Sequence, residues 1–138
     1  MDCGYPLQPM KILVADDDDR CRTLLQDMFS TDPRVEFTMT KDGAEAWWQL
    51  TAPAQRFDLA IFDLRMPTVD GLQLIERVRS YEILRSLPII LCTGVNDRET
   101  VGRAARLAIN HYVVKPYKPE GMRDKIAALA PRRSGLGR

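Results

Sequence analysis

Apolar residues in this chain gather into short solid runs, separated by stretches where they recur every three or four positions. Ile12-Leu13-Val14-Ala15, Leu59-Ala60-Ile61-Phe62 and Ile89-Ile90-Leu91-Cys92 are near-continuous, as strands buried on both faces should be. Val35–Thr40 alternates and carries Val, Phe and Thr, which suit a pleated surface. His111–Val114 reads as a fifth strand. Between these runs, Leu24, Leu25, Met28 and Phe29 mark a helix over Arg20–Phe29. Further helices are expected over Ala44–Leu50, Leu72–Tyr81, Asp97–Leu107 and from Pro119 to about Leu129. Ser30-Thr31-Asp32-Pro33, Lys41-Asp42-Gly43, Pro53, Pro88 and Pro131 punctuate the pattern.

Strands alternating with helices predict an α/β fold, a parallel sheet with helices on both faces. Right-handed crossovers leave few topologies. Sites in such sheets lie outside the carboxyl ends of the strands. Asp16 and Asp17 follow the first strand, Asp63 ends the third, Thr93 ends the fourth and Lys115 ends the fifth. All of them fall at that one edge.

The chemistry there is unusual for a plain strand end. Asp16 to Asp19 are four consecutive carboxylates, and like charges this close raise one another's pKa. A hard divalent cation such as Mg²⁺ removes that cost, and it is usually held by one or two carboxylates with water and phosphate oxygens. Asp18 or Asp19 equally suits the N-cap of the helix that follows. Three carboxylates, a hydroxyl and an ammonium group suggest phosphoryl handling, with Asp63 placed to attack as a nucleophile. Taken singly, Asp63 could cap a loop, Thr93 could be an ordinary strand end and Lys115 could be surface charge.

Composition narrows the class further. A chain of 138 residues, 45% hydrophobic and 28% charged, suits one globular domain. A net charge of +1 gives no general attraction to nucleic acid or membrane. Cys3, Cys21 and Cys92 are odd in number and widely spaced, which argues for a reducing cytoplasm; Cys92 reads as a core residue. No apolar stretch is long enough to span a bilayer, and Met1–Pro9 lacks the regions of a signal peptide.

Four segments in order carry a resemblance. Ile12-Leu13-Val14-Ala15-Asp16-Asp17, Phe62-Asp63-Leu64-Arg65-Met66-Pro67 with Asp70-Gly71, Pro88-Ile89-Ile90-Leu91-Cys92-Thr93-Gly94 and Tyr112-Val113-Val114-Lys115-Pro116-Tyr117 resemble the receiver domain of two-component response regulators. The likeness runs from about Lys11 to Leu129. It implies a flavodoxin-like (βα)5 sheet of order 2-1-3-4-5, and a bacterial, stand-alone receiver similar to the chemotaxis regulators. It further implies that Asp63 accepts a phosphoryl group from a histidine kinase or a histidine phosphotransfer protein. By the same resemblance Asp16, Asp17, Asp63 and the backbone carbonyl of Arg65 form the Mg²⁺ site, with Asp16 acting mainly through water and Mn²⁺ able to substitute. Thr93 and Lys115 would bind phosphoryl oxygens, and Lys115-Pro116 would be cis. Tyr112 matches the aromatic that swings inward with the threonine. The signalling face would comprise the fourth helix, fifth strand and fifth helix, and would dock a downstream protein as a monomer or a phosphorylation-dependent dimer.

Some positions depart from the commonest pattern. Gly94 stands where alanine is more usual, and Arg65 and Val95 occupy positions that tune dephosphorylation in the family. His111 reads as surface or packing. Trp47 falls where the family usually has a core leucine, which leaves its neighbour Trp48 at least partly exposed. The domain reading is a leader over 1–9, a receiver over 10–130 and a short basic tail over 131–138, too short for a DNA-binding module. No membrane or nucleic-acid partner is expected. Two alternatives stand beside this one. An aspartate-based phosphatase of the haloacid dehalogenase type would use Asp16 as nucleophile, and the chain could also be a receiver fragment of a hybrid histidine kinase.

Overall fold

The computed structural model describes residues 8–94 and 98–129. Five parallel strands, β1 (Met10–Ala15), β2 (Val35–Thr40), β3 (Leu59–Asp63), β4 (Ile89–Thr93) and β5 (His111–Val114), pair in the order β2-β1-β3-β4-β5. The helices are α1 (Asp19–Met28), α2 (Gly43–Thr51), α3 (Gly71–Ser80), α4 (Arg98–Ala105) and α5 (Pro119–Ala128). This is the flavodoxin-like architecture expected from the sequence. Val95, Asp97 and the segments 1–7 and 130–138 lie outside the described residues.

Alternation along the strands divides the core in two. Leu13, Ala15, Ala60, Phe62, Ile89 and Leu91 face the side covered by Ala46 and Leu50 of α2, Leu72, Leu74, Ile75 and Val78 of α3, and Ala104 of α4. Ile12, Val14, Leu59, Ile61, Ile90 and Cys92 face the other side, against Leu25 of α1 and Met122 and Ile126 of α5. Cys92 is a core residue, and burial pushes its thiol well above the usual range.

Aspartates set where three helices start, one residue earlier than the apolar spacing predicts. The Asp18 carboxylate accepts from the Arg20 N–H at 2.9 Å, so α1 begins at Asp19. Asp42 accepts from Glu45 N–H at 2.8 Å, which makes Gly43 the first helical residue of α2 and not part of the turn. Asp70 and Gln73 form a reciprocal capping box at the head of α3. A Cβ on Gly43 would collide with the backbone carbonyl of Val69, so glycine is what lets α2 start against the β3–α3 loop. A 3-10 turn over Glu82–Leu84, unforeseen in the sequence, fills the connection to β4.

Arg79 ties the opposite pole of the molecule together. Its guanidinium donates to the carbonyls of Leu107 (2.7 Å), Leu87 (2.8 Å), Arg85 (2.9 Å) and Ala108 (2.9 Å). Burial holds its pKa below the usual arginine range. A flat fork with five donors suits four carbonyls, which a lysine could not serve together. Arg79→Met is therefore expected to lower the urea-unfolding free energy by about 2–3 kcal/mol, as partly buried carbonyls lose their donor. An unchanged denaturation midpoint would contradict that role.

Candidate functional site

Register brings the carboxylates together. β1 and β3 pair Ala15 with Phe62, so Asp16 and Asp63 emerge as the next residues of adjacent strands, about 4.8 Å apart by sheet spacing. β4 carries Thr93 and β5 ends at Val114, its register partner. The Lys115 N–H then donates to the Thr93 carbonyl at 2.8 Å, directing the lysine back over the sheet end. The Lys115-Pro116 bond is cis, as the resemblance implied.

Asp16, Asp17 and Asp63 each offer a carboxylate oxygen within 4.8 Å of the others. Asp16 and Asp63 are buried and Asp17 is exposed. The Lys115 ammonium bridges the first and last, 2.9 Å from Asp16 Oδ2 and 3.3 Å from Asp63 Oδ2. Asp16 Oδ1 accepts from the Asp18 N–H at 2.9 Å. Asp17, by contrast, has no hydrogen bond or ion pair among the described residues. This donor set fits a hard cation: clustered anionic oxygens, one of them uncommitted and facing solvent.

Electrostatics distinguish the members. Burial, and then the Asp16 charge, push the Asp63 pKa up to about 6, against the pull of Lys115. Burial alone would lower the Lys115 pKa. The hydrogen bond to Asp16 and the charges of Asp16 and Asp63 outweigh burial, and its pKa is raised. Asp63 is thus largely ionised at neutral pH, beside a fixed cation.

The loop after Asp63 is shaped by close packing. A Cβ on Gly71 would lie 2.5 Å from the Asp63 carbonyl oxygen, so only glycine lets α3 begin against the end of β3. The Gly71 N–H donates to the Leu64 carbonyl at 2.8 Å. Thr68 sits at φ 69°, with the Val69 N–H bonded to the Pro67 carbonyl at 2.8 Å. This is a strained conformation for a β-branched residue. Arg65 is exposed on that loop. Thr93 is fully buried, while Tyr112 points outward, 52% exposed.

Comparison with known proteins agrees with the fold. The family model for the response regulator receiver domain matches residues 12–127. The chain belongs to that family. It is 32% identical over 120 residues to chemotaxis protein CheY1 of Helicobacter pylori, covering 87% of this chain and 96% of that protein. A CheY homolog of Campylobacter jejuni is 30% identical over 128 residues, covering 93% and 98% of the two chains. The solved structure of the chemotaxis response regulator CheY4 of Vibrio cholerae superposes with a TM-score of 0.78 at 25% identity, covering 88% of this chain and 99% of that one.

This receiver carries the signalling fold of its family, whose members generally use Mg²⁺ and work between a histidine kinase and a downstream target. The dehalogenase-type alternative is not favoured. Its nucleophile would be Asp16, whose two carboxylate oxygens are taken by Lys115 and the Asp18 N–H. Among the described residues, no helix is long and apolar enough to cross a membrane.

Sequence reading missed Arg22, which donates from Nη1 to the Asp16 carbonyl and pairs through Nη2 with Asp19. Its only signal was position: three to six residues past the aspartates, one helical turn brings it back to them.

The raised Asp63 pKa predicts a pH effect on stability. The folded state holds an extra proton between the model-peptide value of 3.8 and about 6. Ionising Asp63 therefore costs stability that is absent below pH 4 and fully expressed above about pH 6. In metal-free buffer, Asp63→Asn should gain on the wild type by about 1–3 kcal/mol as pH rises through that window. Urea titrations of both proteins at several pH values measure the gap; a constant gap would exclude the perturbed carboxylate.

Proposed function

We propose that Asp63 is the phosphoacceptor, taking its phosphoryl group from a phosphohistidine on a kinase or phosphotransfer protein. The observation that carries this is the Lys115 ammonium held between Asp16 and Asp63 at the end of the sheet. An Asp63 oxygen forms the new P–O bond as the P–N bond to the donor imidazole breaks, and the departing imidazole takes a proton from water. Lys115 exchanges its pairing with Asp63 for one with a phosphoryl oxygen. Thr93, buried at the end of β4, supplies a hydroxyl to another. Asp17 and Asp63, with the Arg65 carbonyl and with Asp16 through water, would hold Mg²⁺, or Mn²⁺ in its place. A bound divalent cation supplies charge neutralisation for the transferring phosphoryl group.

The signalling face in this reading is α4-β5-α5. Tyr112 is exposed on β5 and supports it, as the residue that would turn inward once Thr93 engages the phosphoryl group. The chain catalyses only its own phosphorylation and dephosphorylation. It acts in the cytoplasm, docking a downstream protein as a monomer or a phosphorylation-dependent dimer.

Treating the protein with acetyl phosphate and Mg²⁺ and weighing it intact tests the assignment. One acid-stable, base-labile phosphoryl adduct is expected in the wild type and none in Asp63→Asn. Stoichiometric labelling of the mutant would remove Asp63 from the role, and steady phosphate release without an adduct would favour a hydrolase.

A further inference from the structure

Arg22 occupies an odd place for a cation. It lies within α1, its side chain only 13% exposed, against a loop that must itself receive a cation. On charge alone it should weaken the site, since like charges repel. Its contacts suggest what offsets that. Nη1 donates to the Asp16 carbonyl and Nη2 pairs with the Asp19 carboxylate. Asp16 is thereby held at three points: its carbonyl by Arg22, Oδ1 by the Asp18 N–H at 2.9 Å, and Oδ2 by Lys115 at 2.9 Å.

Fixing that carbonyl fixes the peptide plane leading into Asp17, the one member of the cluster with no partner of its own among the described residues. The same fork holds Asp19 on the helix. The four successive aspartates are thus sorted into separate duties. Asp16 is clamped, Asp17 is presented, Asp18 caps α1 and Asp19 is retained.

We propose that Arg22 is a positioning residue for the cation site, acting through the Asp16 carbonyl to aim the Asp17 carboxylate. This rests on reading Asp17 and Asp63 as cation ligands. Positioning and charge predict opposite signs. Removing a nearby positive charge tightens binding of a divalent cation, whereas removing the support of a ligand loosens it.

Calorimetric titration of the full chain with Mg²⁺ decides between them. Arg22→Met should weaken Mg²⁺ binding by roughly 10-fold, the usual effect of losing an outer partner of a metal ligand. Arg22→Lys keeps the charge but cannot span both contacts, so it should weaken binding too. Phosphorylation by acetyl phosphate should slow at low Mg²⁺ yet stay within about twofold of wild type at saturation, the mark of a lost binding contribution. Circular dichroism checks that each variant is folded; Arg22→Lys carries the test if Arg22→Met is not.

Unchanged or tighter Mg²⁺ binding in the folded variants, with only the melting temperature lowered, would overturn the proposal. If Asp17→Asn abolishes binding in that case, the cation site stands and only the role of Arg22 falls. A wild type that binds no Mg²⁺ would overturn both.

Discussion

Two carboxylates buried on adjacent strands repel one another, and the Lys115 ammonium held between them offsets that repulsion. Everything at the carboxyl edge of the sheet is arranged around this triangle. The parallel register sets Asp16 beside Asp63, and the backbone bond from Lys115 to Thr93 returns the fifth strand's lysine across β4. Capping then takes up one further carboxylate, since Asp18 is spent on the head of α1. The lysine does not fully compensate its partners, and the Asp63 pKa remains raised to about 6. That burial penalty, with the neighbouring negative charge, is what a divalent ion would relieve. A site electrically incomplete by design responds to charge arriving from outside.

Much of this was legible in the chain. Solid apolar runs identified three buried strands without ambiguity, because doubly covered parallel strands leave no polar face. The strand-end position of Asp16, Asp63, Thr93 and Lys115 followed from the same runs, since it needs only the ends of strands. The starts of α1, α2 and α3 were read one residue late. Asp42-Gly43 and Asp70-Gly71 look like turns in one dimension, and only the close approach of Gly43 to Val69 and of Gly71 to Asp63 explains why glycine opens each helix. Arg22 and Arg79 were not legible as structural residues. Both act on backbone carbonyls brought near by the fold, and carbonyls leave no trace in residue identity. The 3-10 turn at Glu82–Leu84 escaped for a related reason: three residues are too few to show a period.

The two poles of the domain are built on different principles. At the strand carboxyl ends, charge is concentrated and incompletely balanced. At the opposite pole, among the described residues, the Arg79 guanidinium meets carbonyl oxygens and no carboxylate. Dipoles hold it in one geometry without creating a site for an exchangeable ion. The tail of α4 is thereby fastened to α3 and to the start of β4, while the faces nearer Tyr112 and Val114 remain open.

The two tryptophans of α2 have a consequence for spectroscopy. Trp47 is half-buried and meets Tyr81 edge-on at 5.6 Å between ring centres, whereas Trp48 is 75% exposed. Tyr81 follows the last residue of α3, a ten-residue helix whose first residue touches Asp63, so it sits about 15 Å along the helix from the acceptor. Ultraviolet emission from this protein therefore reports on the far end of α3 and on solvent around α2. A quench on adding phosphodonor would register motion of whole helices, while an ion settling among the aspartates would leave the emission nearly dark to it.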